Sequence, residues 1–142
     1  MPALVELASI HPDVQTRAYW EFVKARELRF QKCEVCGAFR FPPLSGCRDC
    51  GASQSSWVAV AGRGRVFSYT VVHHPAIPEV REDVPYAVVV VEFDDAPGVH
   101  LVSNVLDVPP EEIEIGMQLE LVWDEPSPGV ILPRFARVRG EE

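Results

Sequence analysis

A chain of 142 residues, 47% hydrophobic, is long enough for one compact domain or two small lobes and too apolar for global disorder. The net charge of −8 is uneven: through Val71 nine Lys and Arg stand against six Asp and Glu, whereas from Val72 onward four stand against fifteen. The acidic second half argues against nucleic acid as partner, since phosphate-backbone binding draws its affinity from Lys and Arg, and no apolar run approaches the roughly 20 residues of a membrane helix.

Met1 to Ile10 is mildly apolar but lacks the basic flank of a signal peptide, so a cytoplasmic location is the default expectation. Residues His11 to Ala25 read as a helix. Pro12 and Asp13 suit its start, and Arg17 with Glu21 makes an i,i+4 pair. Val14, Ala18, Phe22 and Ala25 form an apolar stripe, widened by Tyr19 and Val23, with Trp20 off its middle. Such a helix packs on its own domain; alternatively its second apolar side meets a partner or a ligand.

Leu28 to Gly51 holds all four cysteines in two C-x2-C pairs separated by ten residues: Cys33, Cys36, Cys47 and Cys50. Two thiolates at that spacing face one ion from a tight turn. The glycine after each pair, Gly37 and Gly51, permits the positive φ such a turn needs. Brought together by a short hairpin, the two turns complete a tetrahedron. A closed four-thiolate shell leaves no open position for water, so the expected ion is structural Zn2+. Iron of the rubredoxin type is the alternative metal. Two disulfides are the alternative to metal, disfavoured in a reducing compartment. Phe39 to Pro43 read as the hairpin's return strand and exit.

From Trp57 the pattern turns to β. Arg65 to Val72 alternates, with Phe67, Tyr69 and Val71 expected on the core face and Ser68 and Thr70 opposite. Tyr86 to Val91 is a continuous apolar run that suits a strand buried on both sides. Asp94 to Gly98 supply a turn, and Val99 to Leu106 the next strand. Pro109 to Ile115 read as a short helical turn. Met117, Leu119, Leu121 and Trp123 alternate with Gln118 and Glu120, and Val130 to Val138 form a last strand, where Pro133 marks an edge or a bulge. The fold class is therefore mainly β: an N-terminal helical segment (residues 1–27), a rubredoxin-like zinc ribbon (28–56), and a five- to six-stranded OB-fold barrel (57–142).

The order of these landmarks resembles one family. Leu28 through Cys33, Cys36-Gly37, Phe41-Pro42-Pro43, Cys47, Cys50-Gly51 and Trp57 resemble its zinc ribbon. Gly62 through Val72 resembles the opening of its barrel. Pro85-Tyr86, Ile115-Gly116-Met117 and Leu132-Pro133-Arg134-Phe135 match later positions. The family is that of acyl-CoA-associated zinc-ribbon/OB-fold proteins, long catalogued as a domain of unknown function. The resemblance implies a small subunit or fused domain that joins a thiolase-superfamily protein in a hetero-oligomer. Such pairs act on acyl-CoA thioesters: thiolytic cleavage, retro-aldol cleavage of steroid side chains, hydroxymethylglutaryl-CoA synthesis, and C-acylation of phenolic rings. The catalytic residues belong to the partner. The small subunit supports the complex and helps form the acyl-CoA channel.

On that reading no catalytic residue is assigned to this chain. Its thiols are committed to metal, and His73 and His74, at the end of the first barrel strand, come with no serine or carboxylate motif. A channel subunit should offer cations to the phosphates of CoA. Arg40 on the ribbon and Arg63 and Arg65 at the barrel entrance are the candidates, with an ordinary solvated face as the alternative. A docking subunit should also expose an apolar patch, to which Trp20, Phe22, Phe39 and Phe41 are the expected contributors. Two other functions compete: a nucleic-acid-binding ribbon/OB protein, which needs basic grooves and exposed aromatics, and a rubredoxin-like electron carrier, for which the barrel has no purpose.

Overall fold

The computed structural model describes residues 10–139. Its first element is organised by Asp13, whose Oδ1 accepts from the N–H groups of Gln15 and Thr16 at 2.9 and 2.8 Å. Asp13 and Thr16 hold one another in this first turn, and the Arg17 N–H donates to Asp13 O at 3.0 Å, so the turn leads into the regular helix α1, Arg17–Lys24, which is shorter than the expected span. The buried face lies on the widened edge of the expected stripe and not on its middle. Tyr19 and Val23, an i,i+4 pair, are buried, whereas Val14 is 86% exposed in the turn. Helix α1 lays this face on both the cysteine lobe and the barrel.

Three antiparallel strands, β1 (Arg29–Cys33), β2 (Phe39–Arg40) and β3 (Ser55–Ala59), form the ribbon sheet in the order β2-β1-β3. Strand β3 runs across the position where the sequence divides ribbon from barrel, so Trp57 pairs with Gln31 of the ribbon.

The second sheet contains β4 (Arg63–Val72), β5 (Tyr86–Phe93), β6 (Ala96–Ser103), β7 (Val105–Leu106), β8 (Gln118–Ser127) and β9 (Val130–Arg137). Its order is β6-β5-β4-β8-β9-β7. Strands β6 and β7 are one stretch of chain bent at Asn104, so both ends of that order belong to the same segment. The parallel pairing of β7 with β9 therefore closes the sheet on itself. A single 3-10 turn, Pro110–Glu112, precedes β8. A closed barrel in which β4 pairs with the non-consecutive β8, with one parallel seam, is the Greek-key arrangement of the OB-fold. Strand β4 enters it at Gly64, where a Cβ would stand 2.2 Å from the Glu92 carbonyl oxygen, so no other side chain fits without moving a strand.

Ribbon and barrel share one core. Ring centroids step from Tyr19 to Phe41 (5.2 Å), Phe41 to Phe30 (5.4 Å), Phe30 to Phe93 (5.2 Å) and Phe93 to Phe135 (5.9 Å). Val66, Val89, Val91, Leu101, Leu119 and Ile131 complete it inside the barrel.

Several strand expectations change. A bulge between Val66 and Ser68 inserts Phe67 as an extra residue, so Val66 faces the core and Phe67 is 46% exposed. Tyr69 is also exposed, not core. In β5 only Val89, Val91 and Phe93 are buried; Val88 and Val90 are half-buried on the outer face, because an antiparallel meander covers one side only. Pro133 lies within the regular part of the β8–β9 ladder, and the register shift falls beyond it, between Asp124 and Ser127. Pro133 pairs with Trp123 of β8, and its carbonyl accepts the buried Ser103 hydroxyl at 2.7 Å, bridging β9 to β6, with which it shares no backbone ladder.

Candidate metal centre and the barrel surface

Each C-x2-C pair folds into the same turn. Gly37 N–H donates to the Cys33 carbonyl and Gly51 N–H to that of Cys47, at 3.0 and 2.9 Å. Cys33 N–H donates to Ala38 O and Cys47 N–H to Ala52 O, both at 2.8 Å. Gly37 and Gly51 hold φ of +80° and +77°, the left-handed conformation expected from the sequence.

The turns face one another, and all four sulfurs lie within 4.8 Å of one another. Cys33 Sγ is 3.6 Å from Cys50 Sγ, and Cys36 Sγ is 3.5 Å from Cys47 Sγ. These separations are far too long for disulfides. They are close to the roughly 3.8 Å edge of a tetrahedron with Zn–S bonds of about 2.3 Å. Cys33 and Cys47 are buried while Cys36 and Cys50 reach the surface.

The backbone also prepares the sulfurs for charge. The Cys36 N–H, 3.5 Å from Cys33 Sγ, is the main cause holding the Cys33 thiol down at about 6. The Cys50 N–H likewise lowers Cys47. For Cys36 and Cys50, the N–H groups of Ala38 and Ala52 act downward, but crowding by the other sulfurs and burial outweigh them and raise the thiols. Four thiols crowded so closely cannot all ionise without a cation among them. Cys33, Cys36, Cys47 and Cys50 thus fit a structural zinc ion, which when bound ties two loops of the ribbon into one rigid unit. Thiolate tetrahedra also admit iron.

The three candidate arginines are not brought together. Arg40 is inside the ribbon, 3% exposed, its Nε donating to Gln31 Oε1 (3.1 Å) and Leu44 O (3.0 Å). Arg65 is clamped by Glu92 at 2.6 Å and Asp94 at 2.7 Å. Arg63 is the most open, 3.9 Å from Glu120. His73 and His74 are exposed.

Of the aromatics expected on a docking patch, Phe22 packs on Trp57 at 5.5 Å under the Arg29 guanidinium, and Phe39 lies under Lys32. Trp20 and Phe41 instead line a groove of about 650 Å³ between α1, the ribbon and the barrel, together with Tyr19, Tyr86, His100 and Arg134. Arg134 sits between Asn104, which accepts from its Nη1, and Asp124, 3.6 Å from its Nε. Sequence reasoning passed over Arg134 and His100. Arg134 stood inside a recognised landmark, but only barrel closure aims it at a groove. His100 stacks on Phe67 at 4.2 Å across two strands, and the bulge that allows this leaves no signature in the sequence.

A cysteine-bound ribbon joined to an OB barrel through one core defines the class of this protein. Residues 20–55 match the ChsH2 rubredoxin-like zinc ribbon domain, and residues 57–124 the ChsH2 C-terminal OB-fold domain. A DUF35 domain-containing scaffold protein of Methanothermobacter thermautotrophicus is 32% identical over 82% of this chain and 90% of its own. A probable enoyl-CoA hydratase alpha subunit of Thermomonospora curvata is 41% identical over 83% of this chain, but the match spans only 36% of that longer protein. A solved structure described as the Ltp2-ChsH2(DUF35) aldolase superposes with a TM-score of 0.80 at 36% identity, over 91% of this chain and 98% of that one. The chain belongs to the ChsH2/DUF35 family of zinc-ribbon/OB-fold proteins. Among the described residues, no helix is long and apolar enough to cross a membrane.

Proposed function

We propose that this chain is a cytoplasmic, non-catalytic subunit that docks on a thiolase-superfamily enzyme and helps wall its acyl-CoA channel. The observation that carries the reading is the outer face of β4, β5 and β6. There Phe67 (46% exposed) and Val102 (65% exposed) stand beside the half-buried Val90. Apolar side chains so grouped are costly in water and are offset by association. The aldolase and hydratase names of its relatives point to partners that handle acyl-CoA thioesters.

The cation best placed for a CoA phosphate is Arg63, because only an exposed carboxylate at 3.9 Å competes for it. Arg40 and Arg65 would first have to give up the partners they hold.

The test is co-expression with a thiolase-superfamily protein from the same source, followed by gel filtration. A stable hetero-oligomer is expected, lost in the double variant Phe67→Glu, Val102→Glu and kept in Val14→Glu, which alters an exposed side chain in the turn before α1. A complex indifferent to the double substitution rejects this face. Arg63→Glu should weaken acyl-CoA binding by the complex.

Exposed Phe67 and Tyr69 also suit base stacking, which gives the nucleic-acid reading a specific observation in its favour. Glu92 and Asp94 border the same strands and repel a phosphate backbone. Salt-sensitive binding of single-stranded DNA by the isolated chain would favour it over docking.

A further inference from the structure

Arg40 presents an unresolved electrostatic problem. It is 3% exposed, and among the described residues its Nη1 and Nη2 find no hydrogen-bond partner. Among the described residues no carboxylate pairs with Arg40. A buried, uncompensated guanidinium is expensive, and arginine cannot escape by losing its proton.

The ribbon's register says where the compensation lies. Arg40 is directly opposite Gln31 in the β1–β2 ladder, and its Nε bonds the Gln31 side chain. Directly opposed residues share a face, as do residues two apart along a strand. Arg40, Gln31 and Cys33 therefore occupy one face of the ribbon sheet. Arg40 and Cys47 also line the same small cavity, of about 270 Å³. A divalent ion held by four thiolates carries a net charge of −2, and the buried sulfurs Cys33 and Cys47 are the two on this side.

We propose that Arg40 is the counter-charge of the metal centre. It is a positioning residue that stabilises the anionic tetrathiolate from outside its ligand shell. The other charged residues on that cavity, Arg48 and Asp49, are exposed, so solvent screens both and they contribute little to the balance. Arg40 would then serve the ribbon and not a CoA phosphate.

The experiment is chelator competition for zinc on the purified full chain at fixed pH and ionic strength. Arg40→Met, which keeps bulk and removes charge, should weaken zinc retention about 10- to 100-fold, the usual effect of losing an outer-shell partner. Arg40→Lys, which keeps the charge, should stay within about threefold of the parent. In the iron-substituted protein the reduction potential should move negative in Arg40→Met and hold in Arg40→Lys, a shift that a purely structural role does not produce. Parent-like zinc retention in Arg40→Met, or equal losses in both variants, overturns the proposal. If Arg40→Met does not fold, Arg40→Lys decides: a folded protein with near-parent zinc retention upholds the proposal, and a failed one rejects it.

Discussion

Phe30 is the residue on which the joining of the two lobes can be tested. It lies on β1 of the ribbon, is 0% exposed, and meets Phe41 at 5.4 Å and Phe93 of the barrel at 5.2 Å. Truncating a fully buried phenylalanine costs about 3–5 kcal/mol, within which each lost ring pair accounts for about 0.5–1.5 kcal/mol. Against a domain stability of about 5–15 kcal/mol, Phe30→Ala removes a large share. Because the ring belongs to ribbon and barrel alike, the loss should appear in both. Urea unfolding of the zinc-loaded chain can be followed by tryptophan fluorescence, with Trp20 on α1, Trp57 on the ribbon and Trp123 on the barrel, and in parallel by zinc release. The two midpoints should coincide in the parent and move down together in Phe30→Ala. A loss below about 1 kcal/mol would refute the shared core, as would a ribbon that releases zinc well before the barrel unfolds.

Gly64→Ala should destabilise by about 3 kcal/mol or more, since the added carbon meets the Glu92 carbonyl at 2.2 Å and one strand must move; a thermal melt measures it. Gly51→Ala meets nothing within 4 Å and carries only the strain of φ +77°, about 1–2 kcal/mol; a larger loss than in Gly64→Ala would contradict the assignment. Ser103→Ala leaves the Pro133 carbonyl without its 2.7 Å donor in a buried place, and should cost about 1–3 kcal/mol by urea titration. Elemental analysis should find one zinc per chain, absent in Cys33→Ser, and chelation should abolish the ribbon's fold. Acidification should act in the same direction. Protons compete with the ion for the four thiolates, so zinc should be released and the ribbon's stability lost as pH falls, which chelator competition across a pH series measures.

The metal centre was legible because its logic is local. Two short C-x2-C-G turns dictate their own geometry, and hydrogen bonds within six residues complete each of them. The barrel's strands were legible for a similar reason, since period-two alternation needs only neighbours along the chain. Helix α1 was found in type and in its start, since Asp13 caps the turn that leads into it, although its regular part is shorter than the expected span.

What escaped the sequence is whatever depends on two distant segments meeting. Phe67 and Tyr69 read as core until one bulged residue turned Phe67 outward, and a bulge is set by the partner strand. Arg40 read as a surface cation because arginines usually are, yet the fold of the ribbon around Gln31 and Leu44 encloses it. The sequence by itself determined the metal ligands, the strand content and the place of the turns, all of which arise from short-range sterics and spacing. Only the tertiary structure decided which faces are covered, which charges are paired and which groove opens beside Arg134, because burial and compensation belong to the packed molecule.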